Sequence, residues 1–248
     1  MNKDTSRNQG DKALSKALSW ILRHSAEKLG LVLSSDGYVP VSCLLSIRAR
    51  KLNSYSLEDV KRVVTESDKQ RFKLTYKKIR FEDKGKYKFW EGHNDDQYTE
   101  ELCIRANQGH SIKGIQCHEL LTKISPDEIS DINIIHGTYY SAWDKIRTEG
   151  LKKMNRNHIH CAPGLPSIQE SGHQTQTVIS GMRINSQIYI YIDGQLCYTN
   201  GITFYRSENG VLLSPGPIPT SCFAKVIDAK SGRDLLDDSR EQKRIKHH

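Results

Sequence analysis

The sequence predicts an α+β protein with a small N-terminal winged-helix lobe and a strand-rich C-terminal lobe. Helical periodicity covers much of the chain up to Glu66, an alternating β-ribbon follows it, and strand patterns prevail beyond a polar break at Gly92–Asp96. We therefore expect a disordered leader at residues 1–12, a winged-helix lobe at 13–95, a second lobe at 96–232 and a charged tail at 233–248. Winged-helix modules bind nucleic acids or other proteins.

Two helices are predicted in the first lobe. The first runs from Lys12 to Lys28 and should end at Gly30, because glycine is the preferred residue just beyond a helix. Its apolar residues share one face of a 3.6-residue period: Leu14, Ala17, Leu18, Ile21 and Leu22. The second runs from Ser56 to Glu66, with Ser56 as the N-cap and acidic residues in the first turn.

Strands and one further helix are predicted from alternation, apolar runs and turn residues. A β-ribbon begins at Arg71–Tyr76 and continues through Trp90. A short helix at Ser141–Glu149 should be closed by Gly150. The other predicted strands are Leu102–Ala106, Ile132–Ile135, Gln187–Asp193 and Val211–Leu213.

Composition excludes several classes of protein. Among 248 residues, 36% are hydrophobic and 27% charged, which is typical of a globular chain. No apolar run approaches the roughly 20 residues that span a bilayer, and the polar N-terminus lacks the apolar stretch of a secretory signal. We therefore expect a soluble intracellular protein, cytoplasmic or nuclear, without membrane association, and a monomer.

The six cysteines predict neither a zinc site nor a disulfide scaffold. They lie at least 14 residues apart and form no CxxC pair, so we expect reduced thiols and no metal. The net charge of +8 and the isoelectric point near 9.1 favour a polyanionic partner, for which RNA is the first candidate. Many basic proteins bind no nucleic acid, so charge by itself decides little.

Cationic residues scattered along the chain are the first candidates for chemistry. Arg23 and His24 stand in the last turn of the first helix, where a cation also interacts favourably with the helix dipole. Arg71 and Arg80 each precede a phenylalanine, so spacing alone does not decide between them. Arg156 lies in a segment that also carries His158 and His160.

Two loops after apolar strands carry groups suited to phosphate or ribose. Ile104–Ser111 offers guanidinium, amide, imidazole and hydroxyl groups around a glycine: Arg105, Asn107, Gln108, Gly109, His110 and Ser111. His136-Gly137-Thr138 follows another strand, and its glycine would permit close approach of a ligand. GxGxxG, GxxxxGK[ST] and HExxH are all absent, so a Rossmann site, a P-loop and a zincin are unsupported.

These motifs together resemble the tRNA 2′-phosphotransferase family. The resemblance runs from about Leu14 to Pro217, and the octet Ile104–Ser111 is its most specific part. The other matching segments, in chain order, are Leu22–His24, Asp36–Val39, Lys69–Phe72, His136–Thr138, Gly150-Leu151, Arg156–His160, Ser180–Arg183 and Asn209–Val211. The sequence departs from the family pattern at Tyr38 and Cys161 and in a longer stretch from Ser111 to Ile135.

The resemblance implies a fold and a reaction. It implies a winged-helix lobe for RNA and a C-terminal lobe with an ADP-ribosyltransferase-like fold for NAD, which is consumed as co-substrate. The RNA 2′-phosphate, in splice-junction tRNA above all, would displace nicotinamide and give 2′-phospho-ADP-ribosylated RNA. The ribose 2″-hydroxyl would then attack the phosphate, releasing 2′-OH RNA and ADP-ribose 1″,2″-cyclic phosphate. No metal is implied.

The resemblance also implies roles for particular residues. An Arg-His-Arg-Arg catalytic tetrad maps onto Arg23, His24, Arg71 and Arg156, with Arg71 preferred to Arg80 for its Lys-Gln-Arg-Phe context. By the same resemblance, residues that would bind NAD are His136, Gly137, Thr138, Asn209 and Gly210. The segment from Arg105 to Ser111 would border the substrates.

Two other functions stay open at this point. An enzyme with the same fold that stops after the first step would be an ADP-ribosyltransferase, capping nucleic-acid phosphates or modifying protein. A catalytically idle winged-helix RNA-binding protein is the second. The complete set of Arg23, His24 and Arg71 favours the phosphotransferase, because these groups serve mainly phosphate handling.

Overall fold

The structure is a computed structural model and describes residues 3–82, 86–90, 98–112, 115, 121–165 and 181–236. Contacts divide the chain into unit 1, Met1–Leu120, and unit 2, Leu121–His248. The chain is an α+β protein with antiparallel sheets. Ser180, the polar break at 92–96 and the tail beyond residue 236 lie outside the described residues.

Unit 1 begins with a long helix. Helix α1 (Lys3–Trp20) continues into a π-helical turn, Ile21–Ser25, and a 3-10 turn, Glu27–Leu29. The apolar stripe Leu14–Leu22 is buried as predicted, and Gly30 ends the segment at φ 77° by donating its N–H to the Glu27 carbonyl. Residues 3–12, expected as part of a disordered leader at 1–12, belong to α1, so the helix extends upstream of its apolar stripe.

The other helices of unit 1 are α2 (Val41–Leu45) and α3 (Leu57–Thr65). Ser56 caps α3 as predicted, and the cap is reciprocal. Its hydroxyl accepts from the Asp59 N–H at 3.2 Å, and the Asp59 carboxylate accepts from the Ser56 N–H at 2.9 Å. Val60 and Val63 of α3 are buried.

One antiparallel sheet completes unit 1. Its strands are β1 (Val39–Pro40), β2 (Phe72–Phe81), β3 (Tyr87–Phe89) and β4 (Thr99–Ala106), in the order β1-β4-β2-β3. β4 pairs with β2 from Phe72↔Ala106 to Ile79↔Thr99. The lobe boundary was expected near residue 95, whereas β4 pairs with β2 in one sheet and the contact division comes after Leu120.

Unit 2 contains two antiparallel sheets and short helices. One sheet has the order β5-β9-β10-β7, from β5 (Leu121–Lys123), β7 (Ile159–Cys161), β9 (Tyr205–Ser207) and β10 (Leu212–Ser214). The other has the order β11-β8-β6, from β6 (Ile134–Thr138), β8 (Ile188–Ile192) and β11 (Phe223–Asp228). The helices are α4 (Pro126–Ile129), α5 (Tyr140–Glu149) and α6 (Gly194–Thr199).

The core of unit 2 lies among these elements. Ile134, Ile190, Phe204 and Leu212 belong to one buried apolar cluster, and Trp143 and Ile146 of α5 pack against it. Gly150 follows α5 at φ 75°, as predicted. Leu235 and Leu236 also pack on this cluster, so the first residues of the expected charged tail belong to the unit.

Five cysteines lie in the described residues and none of them forms a disulfide there: Cys43, Cys103, Cys161, Cys197 and Cys222. Across the described ranges, none of the helices is long and apolar enough to cross a membrane.

Candidate active site

A groove of about 960 Å³ in unit 1 brings together three of the four predicted catalytic residues: Arg23, His24 and Arg71. Its floor and walls come from α1, from the end of α3 and from the segment that leads into β2. The other lining residues are Arg7, Asn8, Asp11, Lys12, Ser15, Lys16, Ser19, Trp20, Val63, Glu66, Ser67 and Asp68. Arg80 does not line this groove; it is exposed on β2 opposite Lys88 of β3, so the geometry favours Arg71.

Arg23 and His24 lie in the π-helical turn that follows α1. The buried side chains of Ile21 and Leu22 fix the turn. The segment ends in a Schellman-type pair of bonds, in which the Gly30 N–H donates to the Glu27 carbonyl and the Leu31 N–H donates to the Ala26 carbonyl. Turns of the π-helical kind are common at functional sites because they shift side chains out of the α-helical register. Sequence periodicity predicted the helix but not this local change of winding.

Ser111 ties His24 to the loop after β4. The Ser111 hydroxyl lies 2.8 Å from His24 Nδ1, and the Ser111 N–H donates to the Arg23 carbonyl at 2.9 Å. Gly109 lies beside Arg23: a Cβ built there would approach the Arg23 side chain to 3.4 Å, and the glycine has φ 86°. The loop therefore orients the Arg23-His24 pair.

Arg71 immediately precedes β2 and is partly buried. Its Nη1 donates to the Ser67 hydroxyl at 3.2 Å. Burial lowers the pKa of Arg71, and the negative charge of Asp68 opposes that shift. The preceding Gln70 has φ 42°, an uncommon value for a residue other than glycine.

Asn107 holds the backbone of Gln70 and Arg71 through two hydrogen bonds. Its side-chain Nδ2 donates to the Gln70 carbonyl at 2.7 Å, and its main-chain N–H donates to the Arg71 carbonyl at 2.9 Å. Asn107 is buried, so these bonds are shielded from water. Two predicted substrate-binding residues, Asn107 and Ser111, thus make defined contacts within unit 1.

The remaining residues of the loop differ in their surroundings. Arg105 is buried with its guanidinium 4.9 Å from the centre of the Tyr38 ring, and its Nη1 lies 3.5 Å from the Asp36 carbonyl. His110 is also buried, where it packs near Gly37. Gln108 is half-buried. Direct contact of the segment from Arg105 to Ser111 with substrate stays a prediction.

His136 of unit 2 lies in β6, within hydrogen-bond distance of a strand in the other sheet. Its Nδ1 is 2.8 Å from the His160 carbonyl oxygen. Because a carbonyl only accepts, Nδ1 carries the proton, and Nε2 of the neutral ring is left as an acceptor. Burial lowers the pKa of His136, and the Arg156 charge lowers it further. The imidazole is therefore neutral at pH 7.

Arg156 contacts His160, the residue whose carbonyl accepts from His136. Its Nη1 lies 3.5 Å from His160 Nδ1, which is also 3.1 Å from the His158 carbonyl. Burial lowers the pKa of Arg156, and so does the positive charge of Arg183. Arg183 Nη1 in turn donates to the Tyr139 hydroxyl at 3.4 Å. Two like charges that lie close enough to interact favour a bound anion.

Gly137 and Thr138 belong to strand β6, so the loop expected for His136-Gly137-Thr138 is wrong. All three pair with β8, from His136↔Ile190 to Thr138↔Ile188. A Cβ at Gly137 would collide with Met182 and Ser186, and Thr138 is buried. Glycine is required here for packing within unit 2.

Asn209 and Gly210 form the turn between β9 and β10. The Asn209 Oδ1 accepts from the Ser207 hydroxyl at 2.8 Å, and Gly210 has φ 77° with its N–H donating to the Ser207 carbonyl. Asn-Gly at a short β-turn is a strong hairpin signal. Their predicted contact with NAD is not tested by these bonds.

Sequence reasoning gave no role to Ser67, Lys12 or Lys16, and it named Arg183 only as part of the matching segment Ser180–Arg183. Ser67 lies four residues before Arg71, a separation that reveals nothing without the fold. The lysines could have been found, because they stand on the face of α1 opposite its apolar stripe. Within the described residues, no group of three or more His, Cys, Asp or Glu could hold a metal ion.

Comparison with known proteins decides the family. The model of the RNA 2′-phosphotransferase, Tpt1/KptA family matches residues 9–216. The chain belongs to this family. The match spans Arg23, His24, Arg71 and Arg156, together with both segments predicted to contact substrates.

Curated members of the Tpt1/KptA family from distant organisms are similar along most of their length. The chain is 43% identical over 206 residues to tRNA 2′-phosphotransferase 1 of Danio rerio, covering 83% of this chain and 79% of that protein. It is 41% identical to tRNA 2′-phosphotransferase 1 of Homo sapiens, covering 83% and 70%. It is 36% identical to tRNA 2′-phosphotransferase of Saccharomyces cerevisiae, covering 89% and 85%.

Proposed function

We propose that this chain is an NAD-dependent RNA 2′-phosphotransferase that removes an internal 2′-phosphate, with splice-junction tRNA as the main substrate. The observation that carries the proposal is the groove that Arg23, His24 and Arg71 share in a member of the Tpt1/KptA family. Curated relatives of three organisms are named for tRNA 2′-phosphotransfer, which supports this choice of substrate.

The proposed reaction has two steps. The RNA 2′-phosphate attacks the NAD ribose carbon that bears nicotinamide, a C–O bond forms and nicotinamide leaves. The ribose 2″-hydroxyl then attacks the phosphorus of the 2′-phospho-ADP-ribosylated RNA and loses its proton. The P–O bond to RNA breaks, the RNA oxygen takes up a proton, and ADP-ribose 1″,2″-cyclic phosphate departs.

Arginines suit this chemistry because negative charge is concentrated throughout. A 2′-phosphate stands beside a 3′,5′-diester, and the second step adds charge to the transferred phosphoryl group. Guanidinium groups stay protonated and bind phosphate oxygens through two parallel hydrogen bonds. Arg71 keeps a hydrogen-bonded position through Ser67, and its partial burial strengthens its interaction with an anion.

We assign Arg71 and Arg156 to the RNA 2′-phosphate and Arg23 and His24 to the second step. His24 would deprotonate or orient the attacking ribose hydroxyl. The Ser111 hydroxyl at 2.8 Å from His24 Nδ1 supports this role, because it fixes the orientation of the ring. A base must be oriented before its basicity matters.

NAD would be held by His136, Gly137, Thr138, Asn209 and Gly210. The His136 ring fits a ribose. It is neutral and its Nδ1–H donates to the His160 carbonyl, so Nε2 can accept a hydrogen bond from a ribose hydroxyl. Gly137 and Thr138 support the strand that carries it. The positive charge of Arg156 close to His136 suits a phosphate.

The two units fit the lobes that this function needs. Unit 1 would act as the winged-helix RNA lobe, since helices α1–α3 precede the β2–β3 hairpin. Unit 2 would act as the ADP-ribosyltransferase-like NAD lobe, with the nucleotide-binding strand β6 at the edge of its three-stranded sheet, next to β8.

Variants of the Arg23-His24 pair test the division of labour. The protein is incubated with NAD and an RNA carrying one radiolabelled 2′-phosphate. Arg23→Ala and His24→Ala should slow the second step and accumulate ADP-ribosylated RNA, whereas Arg71→Ala should reduce the first step. If neither Arg23→Ala nor His24→Ala accumulates that species, the assignment is wrong.

A further inference from the structure

One face of α1 is polar and leads away from Arg23. Residues four or three positions apart share a helix face, so Asn8, Lys12, Ser15, Lys16 and Ser19 form a stripe, which we call the α1 stripe. All five line the same groove as Arg23 and His24. The opposite face is the buried apolar stripe of α1, so packing fixes which way the α1 stripe faces.

The charges along this groove favour an anion. Lys12 and Lys16 are exposed, and neither takes part in an ion pair among the described residues. Asp11 also lines the groove, but Arg62 neutralises it through bonds of 2.7 and 3.2 Å. Arg7 adds a further cation, and the remaining lining acids are Glu66 and Asp68. The α1 stripe itself contains no acid.

We propose that the α1 stripe is a binding surface for the RNA strand that flanks the 2′-phosphorylated nucleotide, with Lys12 and Lys16 contacting its backbone phosphates. The inference rests on the proposed function, because it extends the RNA from the Arg23 end of the groove. Hydroxyl and amide groups between the lysines supply uncharged donors to phosphate and sugar oxygens, as in sequence-independent RNA contacts.

Helix geometry sets the length of RNA involved. At about 1.5 Å per residue, Lys16 and Lys12 lie roughly 10 and 16 Å from Arg23 along the helix axis. A stacked strand advances about 3.4 Å per nucleotide, so the α1 stripe would reach about three to five nucleotides from the reacting one. A trinucleotide with a central 2′-phosphate is therefore too short to use it fully, whereas a 12-mer is long enough.

Salt dependence of binding tests the proposal. Binding of a fluorescent 12-mer with one internal 2′-phosphate is followed by anisotropy across a salt series without NAD. Each phosphate contact of a single strand contributes about 0.7 to the log–log slope. Lys12→Gln/Lys16→Gln should therefore lower the slope by about 1.4, and Lys12→Arg/Lys16→Arg should keep it. Binding of the trinucleotide should not change.

The matched control is Lys145→Gln/Lys230→Gln, which removes the same charge from exposed positions in unit 2. It should bind the 12-mer with the wild-type slope. An unchanged slope in Lys12→Gln/Lys16→Gln, or an equal loss in the control, would overturn the proposal. Turnover is measured separately: a wild-type protein that binds RNA through the α1 stripe but releases no cyclic phosphate would contradict the proposed function alone.

Discussion

Asn107 is a buried amide that fixes the backbone of a predicted catalytic residue, Arg71. It bonds the carbonyl of Gln70 through its side chain and that of Arg71 through its main chain. Gln70 is held at φ 42°, a conformation that needs support from its surroundings. The position of the Arg71 guanidinium therefore depends on the loop after β4 as well as on its own strand.

Asn107→Ala should lower kcat by about 10- to 100-fold, because small displacements of a catalytic group have effects of that size. Loss of one buried hydrogen bond should also cost about 1 kcal/mol of unfolding free energy. The mutation is made alone and in an Arg71→Ala background. If Asn107 acts through Arg71, Asn107→Ala should lower kcat only slightly further in the Arg71→Ala protein. An equal loss of kcat in the wild-type and Arg71→Ala backgrounds would refute the positioning role. Asn53→Ala, which removes an exposed amide of unit 1 outside the groove, is the control.

The pKa of His136 reports on its burial and on the charge of Arg156. Burial and the Arg156 charge both lower it from the ordinary value near 6.5. An NMR titration of the imidazole should give a midpoint below 6.5, and Arg156→Ala should raise that midpoint by removing a positive charge. Lys152→Ala, which removes a charge bonded to Glu149, should leave it unchanged. A midpoint that does not move in Arg156→Ala would contradict the contact.

Residues that carry chemistry were easier to predict than residues that orient them. Arg23, His24 and Arg71 were found through motifs, and the fold places all three in one groove. Asn107 and Ser111 were predicted in the substrate-binding loop, yet their partners within unit 1 are far away in sequence and could not be read from spacing. The burial of Arg105 beside Tyr38 could not be predicted from the sequence either.

Helix α3 depends on its N-terminal cap, a feature that was visible in the sequence. Ser56→Ala removes the acceptor for the Asp59 N–H and should lower the unfolding free energy by about 1 kcal/mol. Chemical denaturation at pH 7 measures it. Ser54→Ala is the control, since Ser54 bonds only the Lys51 carbonyl in a neighbouring turn among the contacts described.

The Asp59 side of this cap adds a pH dependence. Hydrogen bonds from Ser56 and Arg62 lower the pKa of Asp59 from 3.8 to about 2. The unfolded chain therefore takes up the proton first, so the stabilisation is complete above pH 3.8 and is lost as the pH falls towards 2. The difference in unfolding free energy between wild type and Asp59→Asn should be constant from pH 7 to 5 and smaller at pH 3. A difference that grows on acidification would contradict this.

Strand β6 shows where element prediction failed. His136-Gly137-Thr138 was expected in a loop, because glycine after an apolar strand is a common turn signal. Within β6 the glycine instead makes room for Met182 and Ser186, whose approach comes from a segment more than 40 residues away. Tertiary packing of this kind leaves no periodic mark in the sequence.

Gly137→Ala should therefore destabilise unit 2 through overpacking, at a cost of about 1–3 kcal/mol. Thermal unfolding measures the loss. Gly164→Ala is the control, because a Cβ there has no neighbour within 4 Å. Combining Gly137→Ala with Met182→Ala should recover part of the loss by vacating space; no recovery would indicate that the strain lies elsewhere.

At the scale of the whole molecule, fold class and order of elements were predictable, but the division of the chain was not. Residues 92–96 have the composition of a linker, and composition could not reveal that β4 returns to pair with β2. The antiparallel register connects residues about 20 to 34 positions apart, from Ile79↔Thr99 to Phe72↔Ala106. As a result, the loop that orients Arg23, His24 and Arg71 belongs to the same unit as those residues.

The most direct test of the proposed function is the fate of a single labelled phosphate. The protein is incubated with RNA that carries one radiolabelled internal 2′-phosphate, with and without NAD, and the products are separated. We expect the label to leave the RNA only when NAD is present, as ADP-ribose 1″,2″-cyclic phosphate, with 2′-OH RNA left behind. A stable ADP-ribosylated RNA as the end product, or label that stays on the unmodified RNA, would contradict the proposal.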